Sequence, residues 1–497
     1  MATSNFDANN SAISYTGPWG DGYQASASCR YVPSQYATFD FSATGTACTI
    51  NVAVGSLSSL TITASVDGGA FSNLTLPGST NTYSSVTVFT GLSDASHSVT
   101  IRLVGTNANM FYLAATSAIS VTGASPALTA NSTFSGMTFY NVADLLPLGV
   151  EGDWGLTQVS GFSLGYQRPA CLLAKTPDAS MRFRSNATTI RVFAQINNTW
   201  VKIYQDGVAV GSKTRLLAAN TNPAVTINTM GWVTLATGLD GSWHDYTIVE
   251  CDTGGAVIAG VGTIGGTIDL SSTGVYPRRG AIVGIGDNII SGQSGTSADS
   301  TLGVLWKLGL ATNRPVHNGG IDSSTLMGAS GTPGTEFRYT DGTGYAALGN
   351  STVDYVLVCV GINDINVASP VPTTNFQKSY QNMLTGIRKS VGPNTKILAL
   401  GMLPTTTTNG GANRSTYNTS ISAAVTAVSD ANTSYISTDT LWGTGGSPPT
   451  STQINANVNG DGLNPTATGY DGLVSLLQPY ITTWSPPATG GVVNFAY

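Results

Sequence analysis

Gly280-Ala281-Ile282-Val283-Gly284-Ile285-Gly286-Asp287-Asn288-Ile289-Ile290-Ser291-Gly292 decides how the second half of this chain folds. Residues 280–286 are apolar or glycine with no alternation, as a strand buried on both faces requires. The polar pair Asp287-Asn288 stops the run abruptly. Downstream, 297–310 reads as helix, Asp354–Val360 as a second buried strand and Asn375–Ser390 as an amphipathic helix. Lys396–Leu400 follows as a third strand, then Arg414–Ser429 as a helix and Ala467–Thr483 as a closing element. Strands alternating with helices predict a three-layer α/β/α domain with a parallel sheet over residues 276–484. Residues 485–497, rich in Pro and Gly, read as a tail.

Upstream of Pro277 the pattern is different. Tyr36–Phe41, Cys48–Val54, Leu60–Val66, Ser85–Phe89 and His97–Val104 are short period-two runs divided by turn residues. They predict an antiparallel β-sandwich, jelly-roll-like, over 1–125, and a second over 126–275. Val66-Asp67-Gly68-Gly69-Ala70-Phe71 is echoed by Gln205-Asp206-Gly207-Val208-Ala209-Val210. The stretch 91–101, containing His97, is echoed by 238–248, containing His244. Two echoes in the same order predict a duplicated sandwich, with both histidines as turn or strand-entry residues.

Composition narrows the function. Only 9% of residues are charged, the net charge is −6, and 59 glycines stand among many Ser, Thr and Asn residues. Such uncharged polar surfaces are typical of extracellular or virion β-rich proteins. No basic run suggests nucleic acid, and no apolar stretch reaches the ~18 residues of a membrane span. Met1-Ala-Thr-Ser-Asn-Phe-Asp lacks the basic and apolar regions of a signal peptide. Removal of a signal, or release by lysis as for phage tail and capsid-associated proteins, would each explain that. Cys29, Cys48, Cys171, Cys251 and Cys359 leave two pairings open, Cys29–Cys48 and Cys171–Cys251, against the alternative of buried thiols. Three scattered histidines and no Cys-x-x-Cys point to no metal, and no cofactor motif is present.

Four blocks carry the chemistry. They are Gly286-Asp287-Asn288, Asn318-Gly319-Gly320-Ile321-Asp322-Ser323, Gly361-Ile362-Asn363-Asp364 and Asp461-Gly462-Leu463-Asn464-Pro465. Each stands at the end of a predicted strand or the start of a helix, where open α/β sheets bind ligands. In this order they resemble the SGNH/GDSL hydrolases, and a sandwich ahead of such a domain is similar to carbohydrate esterases of that superfamily.

The resemblance implies acyl transfer by a serine at position 288, a histidine at 464 and an orienting Asp461. The oxyanion hole would combine the backbone N–H groups of Asn288 and Ser323 with the side chain of Asn363. Asp287, Gly320 and Asp364 would line the pocket. Here the nucleophile and base positions are both asparagine, and Ser323 stands where the family has glycine. A carboxamide is neither a nucleophile nor a base near neutral pH, so catalysis is expected to be lost. A substitute dyad of Ser323 with His317 is weighed and set aside, His317 reading as the end of a buried strand.

The resulting expectation is a catalytically impaired esterase-like protein acting as an extracellular or virion-associated glycan-binding or structural module. The alternative is a polysaccharide O-deacetylase whose Ser and His were replaced to inactivate it. Expected partners are a polysaccharide or acetylated glycan, with self-association or other virion proteins beside it.

Overall fold

Five parallel strands organise the C-terminal half of the protein in the computed structural model. The structure describes residues 1–16, 20–24, 27–32, 38–54, 60–75, 82–105, 111–129, 137–141, 150–151, 154–157, 171–217, 230–252, 255–270, 280–292, 299–329, 332–336 and 353–483. The expected tail, 485–497, lies outside them. The strands are β1 (Ala281–Gly286), β2 (Val316–Gly320), β3 (Val353–Cys359), β4 (Lys396–Leu400) and β5 (Thr433–Ile436), in the order β2-β1-β3-β4-β5.

The unbroken apolar runs have a direct cause: both faces are covered. Ile282, Tyr355 and Leu357 point to one side, against α2 (Val304–Thr312) and α7 (Ala467–Leu477). Val283, Ile285, Val356 and Val358 point to the other, against α4 (Thr373–Ser390) and α5 (Thr408–Val428). Short helices α1 (Asn288–Ser291) and α3 (Ile362–Ile365) directly follow β1 and β3. The chain runs outward in both directions from β1 and β3, and that reversal opens a crevice at their C-terminal ends.

Three elements depart from expectation. The helix read over 297–310 is a 3-10 turn, Ser300–Leu302, followed by α2, because Gly303 between them is extended. β5 and α6 (Ser451–Asn457) carried no legible signal. β5 is a sheet edge with mixed burial, and α6 buries no residue and so has no apolar period, although Thr450 and Gln453 form a capping box.

The N-terminal half is antiparallel β-structure. Four of its predicted strands merge into two long ones, Thr38–Val54 and Ser84–Gly105. Pairing between them shifts register at Gly45/Ala47 and Cys48/Thr49, which is where the apolar period resets. In the second region the corresponding strands are separate and form two sheets: Ser180–Ser185 with His244–Glu250, and Thr189–Gln195 with Met230–Thr237. The pairing scheme is otherwise shared. Leu60–Val66 lies beside Ser84–Gly105 as Trp200–Gln205 lies beside His244–Glu250, and Ala2–Phe6 closes one side as Thr138–Asn141 does. Cys29, Cys48, Cys251 and Cys359 are buried thiols outside any disulfide, so neither suggested disulfide is formed by them.

Both echoed histidines close the same clasp, but only His244 stands at a strand entry as expected; His97 lies inside Ser84–Gly105, because the two short strands expected there merge into one. His97 Nδ1 meets Asp67 Oδ2 at 2.7 Å, and the other carboxylate oxygen accepts from Ser98 N–H at 2.9 Å. His244 Nδ1 meets Asp206 Oδ2 at 2.6 Å, and Asp206 Oδ1 accepts from Asp245 N–H at 3.0 Å. The far ring nitrogens lie 3.0 Å from Ser93 O and 3.2 Å from Asp240 Oδ1. Asp67-Gly68 and Asp206-Gly207 have left-handed φ values, as two-residue hairpin turns require. Asp67→Ala leaves the buried His97 without its carboxylate, an expected loss of about 1–2 kcal/mol. Asp206→Ala is expected to cost less, because Asp240 still holds His244. Hydrogen exchange in strands 97–104 and 244–250 measures both, and equal effects would contradict the comparison.

Candidate functional site

Asp287 builds the crevice. It caps α1 by accepting from Ile289 N–H at 3.0 Å, and it reaches across to Gly361 N–H at 3.3 Å. The block after β1 is thereby tied to the block after β3. Asp364 adds the loop after β2, accepting from Leu326 N–H at 2.7 Å. Both carboxyls are buried, and desolvation raises them, Asp287 to about 7 and Asp364 to about 6.

On this frame four of the expected site residues form one chain of hydrogen bonds. Asn363 Nδ2 donates to Asn288 Oδ1 at 3.0 Å and to Ser324 O at 2.9 Å. Asn288 Nδ2 donates to Asn464 Oδ1. Asn464 Nδ2 donates to Asp461 Oδ2 at 2.7 Å, and Asp461 Oδ1 accepts from the backbone N–H groups of Leu463 and Asn464. Asn288 and Asn464 are buried and Asp461 is exposed.

One geometric expectation is corrected. Asn363 does not face an open anion pocket beside the backbone N–H groups, since Asn288 Oδ1 and Ser324 O take its two amide hydrogens. The cause is length: the carboxamide of Asn288 reaches further than a serine hydroxyl and brings its own carbonyl oxygen to Asn363.

Residues 285–471 match the GDSL-like lipase/acylhydrolase family. This segment is a GDSL-like lipase/acylhydrolase domain. A search of curated protein sequences returned no match. Among solved structures, the fold is similar to an active-site mutant of a family two carbohydrate esterase from Clostridium thermocellum, at TM-score 0.52 and 15% identity, covering 67% of this chain and 96% of that one. The enzyme of that description in complex with cellohexaose matches at TM-score 0.50, 16% identity and 67% and 97% coverage. The family two carbohydrate esterase of Cellvibrio japonicus matches at TM-score 0.50, 13% identity and 69% and 97% coverage. These shares of the chain exceed the family match, so the likeness of fold extends into the β-region as well.

The remaining site residues of the GDSL-like domain have structural explanations. Gly320 has no room for a side chain, because a Cβ there would lie 2.2 Å from Ser291 N. Ser323 is exposed with φ 60°, the left-handed region that glycine tolerates best. His317 is the second residue of β2 and the strand continues to Gly320, so it does not end the strand. Ser291 Oγ donates to Asp322 Oδ1, and Ser324 Oγ to Gly286 O at 3.3 Å. Sequence reading missed Tyr470, whose hydroxyl donates to Asn288 O at 3.5 Å from one turn into α7. Only its proximity to the Asp461 block could have marked it.

Two outcomes follow. Ser323→Gly removes a strained left-handed side chain and is expected to stabilise the domain by about 1 kcal/mol in urea unfolding; destabilisation would contradict that. The second concerns pH. Asp40 and Asp178, both buried, are raised by desolvation to about 7, as Asp287 is. A carboxyl with a folded pKa above its unfolded value near 4 favours folding below that value, and the contribution is lost as pH rises towards 7. The clasped His97 and His244, also raised, act in the same sense. The thermal midpoint is therefore expected to be several degrees higher at pH 5.5 than at pH 8; a higher midpoint at pH 8 would overturn the reading.

Proposed function

We propose that this protein is a catalytically silent member of the esterase-like group, retained as a glycan-binding module of an extracellular or virion-associated structure. The observation that carries the reading is the amide chain Asn363–Asn288–Asn464–Asp461. Asn288 offers no nucleophile and Asn464 no base. Losing one partner of such a unit costs about 10⁶ in kcat where it has been measured. The acceptor site beside Asn363 is also filled by the protein's own carbonyl. The pocket has lost both its reagents and the opening for an ester oxygen.

Glycan binding is supported by the sandwich-plus-hydrolase arrangement shared with carbohydrate esterases, one of them solved with cellohexaose. The extracellular or virion setting rests on the low charge and the abundance of glycine, serine and threonine. We read the two sandwiches, about 1–125 and 126–275, as copies of one unit, supported by the shared clasp and pairing scheme. The alternative of deliberate inactivation accounts for Asn288 and Asn464 but not for Ser323, since replacing that glycine is no route to disabling an esterase.

A glycan array with the full chain tests the binding reading. Retention of a polysaccharide or acetylated glycan is expected, and an array without signal would leave an architectural role in its place. The pair Asn288→Ser and Asn464→His tests the ancestry of the pocket. Together they vacate the acceptor site and restore reagents, so slow hydrolysis of p-nitrophenyl acetate is expected from the double variant and not from either single one. Equal activity in a single variant would contradict the shared role of the two positions.

A further inference from the structure

The second sandwich reaches into the core of the hydrolase-like domain at one junction. Tyr204 and Val249 pack into its core, with the Tyr204 ring 5.3 Å from that of Trp306. Lys202 Nζ lies 3.4 Å from Asp299 Oδ2, and Ser300 N–H donates to Cys251 O at 3.0 Å. Within this junction sits Asp178, fully buried, in a turn with φ 64° and anchored to its own sandwich by an N–H donated to Glu250 O. Its carboxyl points away from that sandwich. Oδ1 accepts from Ser300 Oγ at 2.6 Å and Oδ2 from Asn318 Nδ2 at 2.9 Å.

Asn318 opens the second sequence block. The same Nδ2 donates to Ser291 O at 3.2 Å, at the end of α1, and Oδ1 accepts from Gly320 N–H at 3.1 Å. Asn318 therefore ties the segment bearing Asn288 to the loop bearing Ser323. Rotation of its amide would break both ties, and Asp178 is the acceptor that fixes the rotation. A buried side-chain network of this kind holds one geometry only while all its members are paired.

We propose that Asp178 is a positioning residue for the pocket: through Asn318 it sets the spacing of the Asn288 and Ser323 segments, making the second sandwich a structural part of the site. The inference holds whether the pocket is silent or active. It also predicts which replacement is tolerated. Asparagine at 178 keeps an oxygen for Asn318 and can donate to Ser300 Oγ, whereas alanine and serine cannot reach both partners.

Hydrogen exchange followed by mass spectrometry on the full chain tests this. In Asp178→Ala, amides in 286–292 and 316–324 are expected to exchange about tenfold faster, with 396–400 and 433–436 unchanged, and Asp178→Asn to restore protection. Should the alanine variant fail to fold, Asp178→Ser is read at the same peptides with the same expectation. Faster exchange confined to 174–180 and 299–302 would overturn the proposal, as would an asparagine variant as disturbed as the alanine one.

Discussion

The site depends on one constraint: β1 and β3 are neighbours that end at the same edge while the chain leaves them in opposite directions. Everything functional hangs on bridging that gap. Asp287 does so with a buried carboxyl accepting N–H groups from both sides, and Asp364 extends the bridge to the loop after β2. Neither carboxyl is replaceable by an apolar group, because the backbone donors they satisfy would be left buried and unpaired. These bridging carboxyls hold the scaffold through backbone N–H groups rather than through the side chains of Asn288, Asn363 and Asn464.

An asparagine at each of positions 288 and 464 supports hydrogen bonding but not proton transfer. A carboxamide both donates and accepts, so Asn288 and Asn464 bond to each other and to Asn363 and Asp461 without leaving orphaned polar groups. An apolar residue at either position would take one partner from Asn363 or Asp461, leaving Ser324 O to the first and the Leu463 and Asn464 N–H groups to the second. On the proposed reading, the same bonding occupies the place an ester oxygen needs.

Much of this was legible in the sequence where one physical rule acts alone. The strands β1, β3 and β4 were visible because burial on both faces forces continuous apolar runs, and the first and third blocks because they follow β1 and β3. The clasp histidines were visible through repetition. Other features were decided by tertiary context. The long strands Thr38–Val54 and Ser84–Gly105 looked like four because bulges reset their period. α6 buries nothing and leaves no pattern. Asn363 was expected to face an open hole, but the reach of a side chain from another block redirected it. Asp178 lies 140 positions from Asn318, and no local pattern announces a contact across a domain junction.

The account stands or falls on whether the unaltered chain releases acetate. Incubation with an acetylated xylan, followed by quantification of free acetate, is the direct measurement. The account expects release indistinguishable from a buffer blank at every protein concentration. Release that scales with protein concentration and disappears in Asp461→Ala would contradict it, because a working base would then have to exist in a network whose positions 288 and 464 are both amides.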